Sequence, residues 1–208
     1  MPSGNAKAEG RTRTLKARIK HALGPWGVFV AGFIRHPSMV ASVIPSSPTL
    51  IRHMLKPVDW ANMKLFVEYG PGVGTFTRPI LENMRGDATL IVIDTNADFI
   101  AYLRREIPDS RLIAVHGSAA DVASIVAENG FDHADYVLSG LPFSTLPEGV
   151  GDAIGQATHA VLRPGGAFLV YQFRARCLDF ITPSFARIDK AMEYWNVPPC
   201  YLFWAWKD

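Results

Sequence analysis

The residues best suited to chemistry lie in one short stretch, Glu68-Tyr69-Gly70-Pro71-Gly72-Val73-Gly74-Thr75, and in an acid further on, Asp94. Glycines at alternate positions let the backbone turn sharply and approach a ligand where a side chain would intrude. Their spacing, Gly-x-Gly-x-Gly, departs from the dinucleotide fingerprint, which needs two residues before its last glycine to seat a pyrophosphate on a helix N-terminus. Asp94 lies about twenty residues beyond Gly74, where an acid closing the next strand accepts hydrogen bonds from both ribose hydroxyls of an adenosine. Taken singly, the glycines make a tight turn and Asp94 caps a helix. On consecutive strands at this separation, they predict a cofactor that carries an adenosine.

The surrounding pattern supplies the elements that must position these groups. Strands are expected over 64–69, 88–93, 111–115, 134–138 and 167–173. Helices are expected over 49–55, 75–84, 97–107, 120–128 and 149–161, with Ser46 and Ser47 able to cap the first. Strands alternating with helices of these lengths predict a parallel sheet covered on both faces. Arg163-Pro164-Gly165-Gly166 reads as a turn into the fifth strand. The tail reads as a helix over 185–194 and a final edge strand over 201–206. Before the sheet, residues 11–23 show a helical pattern, broken at Gly24-Pro25, with an apolar segment over 26–34 and another helical piece over 37–43.

The Glu-x-Gly-x-Gly-x-Gly stretch resembles motif I of the class I methyltransferases. His116-Gly117-Ser118-Ala119-Ala120-Asp121 resembles their adenine-contacting stretch, although Ser118 is equally a helix N-cap. Ser139-Gly140-Leu141-Pro142-Phe143 stands where amino-methyltransferases carry Asn-Leu-Pro-Phe or Asn-Pro-Pro-Tyr, here with Ser in place of Asn. This form resembles the bacterial phospholipid N-methyltransferase family and, more distantly, the rRNA adenine dimethyltransferases. The likeness extends over nearly the whole chain. It takes in the basic N-terminal helix, the Pro-Ser-Ser-Pro turn, motif I through Thr77, Ser139–Phe143, the Arg-Pro-Gly-Gly turn and the Asn196-Val197-Pro198-Pro199 segment.

The resemblance implies a Rossmann-like α/β fold: a mostly parallel seven-stranded sheet with helices on both faces and an N-terminal amphipathic arm. Residues 1–48 would form the arm and residues 49–208 the methyltransferase domain. S-adenosyl-L-methionine, converted to S-adenosyl-L-homocysteine, is the implied cofactor. Its implied contacts are Ser47, Glu68, Gly70, Gly72, Gly74, Thr75, Asp94, Thr95, Ser118, Ala119 and Ser139. Transfer is an in-line displacement at the sulfonium methyl, so alignment supplies most of the rate. Ser139, Gly140 and Tyr171 would orient a neutral amine, with Phe143 and Gln172 toward the headgroup. Phe76, Phe143 and Tyr171 offer ring faces to a methylated ammonium, or are simply core. No catalytic metal and no covalent nucleophile are expected.

Composition bounds the partners. A hydrophobic share of 49% with 19% charged residues is globular, and two distant cysteines, Cys177 and Cys200, predict a reducing compartment and no zinc site. The net charge of +2 hides an asymmetry: residues 1–36 hold seven Lys or Arg and one Glu, giving +6, which leaves −4 for the remainder. No secretory signal pattern is recognisable, and the apolar run over 26–34 is too short to span a bilayer. Lys16, Arg18, Lys20 and Trp26 suit a helix lying on an anionic lipid surface, or alternatively one packed on the sheet with its basic face solvated.

The resulting expectation is a monomeric enzyme, peripheral on the cytoplasmic face of the inner membrane. It would methylate phosphatidylethanolamine, and its mono- and dimethylated forms, toward phosphatidylcholine, without a nucleic-acid partner. A nucleic-acid methyltransferase is the alternative, since a basic arm also tracks phosphates. Against it, only about 35 residues follow the fifth strand. A soluble small-amine methyltransferase and a non-catalytic cofactor-binding module complete the set.

Overall fold

The computed structural model describes residues 46–208. The arm over 1–45, with Lys16, Arg18, Lys20 and Trp26, lies outside the described residues, so the expected division at 48/49 is described only on its second side. Seven strands form one sheet in the order β3-β2-β1-β4-β5-β7-β6. They are β1 (Leu65–Tyr69), β2 (Thr89–Asp94), β3 (Leu112–His116), β4 (Ala134–Ser139), β5 (Leu162–Gln172), β6 (Arg187–Glu193) and β7 (Cys200–Trp206). The first five run parallel, while β7 is antiparallel to both β5 and β6.

The helices are α1 (Pro48–Leu55), α2 (Thr77–Asn83), α3 (Ala97–Glu106), α4 (Val122–Glu128), α5 (Val150–Val161) and the single turn α6 (Leu178–Ile181). Every residue of β1 is buried, as a central parallel strand requires. Leu65, Val67 and Tyr69 pack into one core with Val122, Ile125, Ile154 and Ile181 from α4, α5 and α6. Phe66, on the opposite face, stacks with Trp60 and Tyr136. There Trp204 Nε1 donates to the Met54 carbonyl at 2.9 Å, tying α1 to β7. α1 starts as its sequence predicts: the Ser47 hydroxyl accepts the Leu50 N–H at 3.2 Å, with Pro48 in the first turn.

Four expectations change. Arg163-Pro164-Gly165-Gly166 is no free turn but part of an eleven-residue β5, absorbed by a register shift against β4 between Ala134 and Tyr136. Gly165, at φ 72°, donates its N–H to the Lys207 carbonyl at 2.7 Å, so the tail's pairing captures the segment. The expected helix over 185–194 is strand β6. Its helical-looking apolar spacing is overridden by pairing along the whole length of β7, and the charged Arg187, Asp189 and Lys190 suit an edge. Arg187 lies over the Trp206 ring at 5.0 Å, and Trp206 Nε1 donates to Asp189 Oδ2 at 2.8 Å. β7 is therefore interior and β6 is the edge, the reverse of the expected tail order. Helix α2 also begins two residues later than expected, because the backbone remains in turns through Phe76.

Candidate active site

Strand order reverses beside β1, whose neighbours are β2 on one side and β4 on the other. Crossovers diverging from that point leave a crevice at the carboxyl ends of the strands, the binding place of open α/β sheets. Three hydrogen bonds continue the ladder one residue past the strands. Gly70 N–H donates to the Ile93 carbonyl (2.9 Å), Gly117 N–H to Asp94 (3.0 Å) and Gly140 N–H to Tyr69 (3.0 Å). The glycine turn, the loop after β3 and the loop after β4 are thus held side by side along one rim.

Gly70, Gly72 and Gly74 have φ of 63°, 55° and 84°, left-handed backbone that disfavours other residues. Their roles differ. A Cβ on Gly72 would meet nothing within 4 Å, so this position opens onto space. A Cβ on Gly74 would lie 3.0 Å from both Leu103 Cδ2 and Ile107 Cδ1, so Gly74 lets the turn pack on α3. Gly74 is a packing glycine beside one that opens onto space. Thr75 follows in the turn, half-buried.

Asp94 closes β2 half-exposed, its Oδ1 accepting the Asn96 N–H at 2.8 Å. Burial raises its pKa, against the lowering effects of the Asn96 and Gly72 amides and of His116. Thr95, beside it, is exposed, and its carbonyl meets His116 Nε2 at 3.1 Å. The Ser118 hydroxyl accepts the Ala120 N–H at 3.2 Å, the helix-capping role the sequence also allowed. The Ala119 side chain belongs to the core, which corrects its assignment: only its backbone is left for an adenine.

Glu68 is buried below the glycine turn. Its Oε2 accepts the Thr77 hydroxyl at 2.6 Å, fastening β1 to α2. Burial pushes its pKa up to about 8; the Thr77 bond opposes the rise and the Asp94 charge adds to it. A carboxyl poised in this way is neutral without a nearby cation and favours one placed beside it.

The side of the rim next to β4 and β5 is built around Tyr171. Its ring stacks on Phe76 with centroids 4.8 Å apart, and Ser46 lies beside its hydroxyl. Burial, then the charge of Glu68, raises the Tyr171 pKa, so the phenol keeps its proton. A Cβ on Gly140 would collide with this hydroxyl and sit 3.2 Å from Tyr171 Cζ. Glycine at 140 is what allows the phenol to reach the main chain where β4 ends.

Ser139 is fully buried and its Oγ accepts the Leu141 N–H at 3.2 Å. Gln172 Nε2 donates to the Leu141 carbonyl at 2.6 Å. Both side chains brace the loop that carries Gly140. Phe143 is corrected: it is buried and stacks on Phe180 at 5.9 Å, so it anchors the loop in the core and offers no ring to a headgroup. Phe76 is likewise buried, its ring reaching only Tyr171 at the site. The Ser47 hydroxyl meets Thr49 Oγ1 at 2.8 Å as well as capping α1, while its N–H donates to Asn196 Oδ1 at 3.0 Å.

The structure therefore brings Glu68, Gly70, Gly140 and Tyr171 together and sets Asp94 and Gly72 beside them. Ser46, Thr77 and Asn196 were given no site role by sequence. Ser46 and Asn196 lie far from the motifs they support, and Thr77 carried no signal beyond its place two residues after Thr75. The arrangement fits an S-adenosyl group: a carboxylate at the ribose position, an open glycine for close backbone approach and a buried carboxyl able to answer a positive charge. Among the described residues, no group of three or more His, Cys, Asp or Glu is disposed to hold a metal ion.

A family profile described as a methyltransferase domain matches residues 66–166. The ornithine lipid N-methyltransferase of Singulisphaera acidiphila is 32% identical over 187 residues, covering 86% of this chain and 94% of that one. The O-methyltransferase from Bacillus cereus, solved in complex with SAH, superposes with a TM-score of 0.65 at 10% identity, covering 93% of this chain and 97% of that one. Precorrin-6y C5,15-methyltransferase from Geobacter metallireducens superposes with a TM-score of 0.60 at 12% identity, covering 78% and 90%. At such identities the two structures speak for the fold, and the fold is that of enzymes using S-adenosylmethionine, which is the cofactor here. With the glycine turn, Asp94 and the relative's span over nearly its whole length, the chain belongs to the lipid N-methyltransferase family within the class I S-adenosylmethionine-dependent methyltransferases.

Proposed function

We propose that this enzyme methylates the headgroup amine of phosphatidylethanolamine, and of its mono- and dimethylated forms, toward phosphatidylcholine at a membrane surface. The observation that carries the reading is the Tyr171 hydroxyl seated against Gly140 on the rim shared with the glycine turn. It gives a neutral amine a hydrogen-bonding phenol and main-chain carbonyls, with no acid or base stronger than water needed. Bound S-adenosylmethionine supplies an electrophilic sulfonium methyl. Displacement at that methyl by the amine's lone pair would exchange the S–C bond for a new N–C bond, giving a thioether and an ammonium. That ammonium releases a proton to water before another round. Asp94 would hold the ribose, Gly72 would admit the backbone to close contact, and Tyr171 with Gly140 would align the lone pair, the geometry that governs such displacements.

The basic arm, with Lys16, Arg18, Lys20 and Trp26, supports docking of a monomer on the anionic cytoplasmic face of the inner membrane. Among the described residues no helix is long and apolar enough to cross a membrane. A second reading, ornithine lipid as acceptor, is favoured by the name of the Singulisphaera relative. The two share lipid amine methylation and differ in headgroup. The test is methyl transfer to separate vesicles of phosphatidylethanolamine and of ornithine lipid, with chromatography of the products. Faster labelling of phosphatidylethanolamine supports the proposal; labelling of ornithine lipid alone replaces it with the second reading.

A further inference from the structure

Strands β6 and β7 are joined by Tyr194-Trp195-Asn196-Val197-Pro198-Pro199. Because Gln172 at the end of β5 pairs with Tyr201 at the start of β7, this tip lies at the same edge of the sheet as Tyr171 and the glycine turn. Tyr194, Trp195 and Val197 are 71%, 83% and 84% exposed, and Pro198 and Pro199 are exposed with them. The tip holds no charged side chain.

Such exposure would mean little on a loosely held loop, but this tip is tied down by two buried polar residues. Asn196 Oδ1 accepts the Ser47 N–H at 3.0 Å and its Nδ2 donates to the Pro198 carbonyl at 2.9 Å. The buried Glu193 accepts the Trp195 N–H at 3.0 Å and meets His53 Nδ1 at 3.2 Å. Desolvating an amide and a carboxylate is unfavourable unless each is fully bonded, as here. The result is a braced backbone that holds three large apolar side chains in water. Beside it, directly after β5, Arg174 and Arg176 are exposed on the same edge.

We infer that the 194–199 tip is a bilayer-interface anchor: Tyr194, Trp195 and Val197 enter the headgroup–acyl boundary while Arg174 and Arg176 meet lipid phosphates. Tyr and Trp suit that boundary because each ring has an apolar body and a polar tip. Guanidinium groups beside an uncharged apolar tip complement an anionic lipid surface. Docked this way, the mouth beside Tyr171 faces the lipid. The inference rests on the lipid-substrate reading above and adds a contact independent of the N-terminal arm.

The test uses the full chain in two measurements. In the first, wild type and Trp195→Phe are mixed with phosphatidylethanolamine–phosphatidylglycerol vesicles carrying dibrominated or plain acyl chains. The emission attributable to Trp195, taken as the difference between the proteins, should fall about twofold on brominated vesicles. Trp195 difference emission that is the same on brominated and plain vesicles overturns the inference. In the second, Tyr194→Ser/Trp195→Ser/Val197→Ser should need about tenfold more vesicle lipid for half-maximal methyl transfer, while staying within about twofold of wild type on a short-chain phosphatidylethanolamine dissolved as monomers. Unchanged behaviour on both substrates, or equal loss on both, overturns it and reassigns the tip to a protein partner or to the fold. If wild type methylates no lipid, the substrate reading fails, and the quenching experiment still decides the anchor.

Discussion

The two halves of the rim are built in different ways. On the β1–β3 side the site is made of backbone and two carboxyl groups: the glycine turn with Glu68 beneath it, Asp94, and the loop after His116, each at or just past the end of its own strand. On the β4–β7 side it is made of side chains drawn from distant segments, with Ser46, Gly140 and Tyr171 meeting across more than half the sequence. On the proposed function, a cofactor half assembled from local turns can recur under many chemistries, whereas an acceptor half assembled from remote parts would be where the substrate is chosen. The TM-scores agree: proteins at 10–12% identity share this fold while their names assign them different methyl acceptors.

If the halves are separable, they should break separately. The largest effect is expected from Gly140→Val, whose added carbons collide with the Tyr171 hydroxyl. Turnover should fall about 10²–10³-fold, since misplacing the acceptor by an ångström is enough, while cofactor affinity stays within about threefold. Single-turnover kinetics and calorimetry on the same protein check both statements, and equal loss of binding would contradict separability. Asp94→Ala is the converse. Cofactor affinity should weaken by roughly 1–3 kcal/mol, the range for lost charge-assisted hydrogen bonds, and titration with S-adenosylhomocysteine measures it directly. Unchanged affinity would remove Asp94 from the site.

Tyr171→Phe keeps the stack on Phe76 and deletes only the hydroxyl. It should lower turnover by about three- to tenfold at unchanged cofactor affinity, one hydrogen bond's worth. The smallest effect is the pH dependence of Glu68, which touches both halves. Its pKa is raised from 4.5 to about 8 in the folded protein, so the native state keeps a proton that the unfolded chain releases. Its stabilising contribution is full below pH 4.5 and is lost as pH rises through 8. Glu68→Gln removes that titration. Between pH 5 and 6 the ligand-free wild type should lose about 4 °C more in Tm than the variant, by thermal unfolding at each pH. Parallel Tm profiles would show that Glu68 does not titrate there.

The same contrast explains what the sequence made legible. The first five strands, the glycine turn and Asp94 are each written within a few neighbouring residues, as apolar runs, the first four of them ending in glycine or acid. Ser46 reads only as a residue of a Pro-Ser-Ser-Pro turn until the fold sets it against Tyr171. Phe143 looked like a headgroup contact because it closes a motif, yet the core takes its ring. Residues 187–193 misled for a different reason. Ile188 and Met192 repeat at helical spacing, and only the adjacent β7, which no local pattern announces, turns the segment into an edge strand. Long-range pairing decided the tail, and long-range contact decided the acceptor.

The most direct test of lipid amine methylation puts the candidate acceptors in competition. Protein loaded with methyl-labelled S-adenosylmethionine is chased in one tube with phosphatidylethanolamine vesicles, total RNA and a mixture of small amines, and the label is followed into each fraction. The account predicts label in mono-, di- or trimethylated lipid, with RNA and small amines unlabelled. Label in the RNA or in the soluble amines, with the lipid fraction blank, would contradict it.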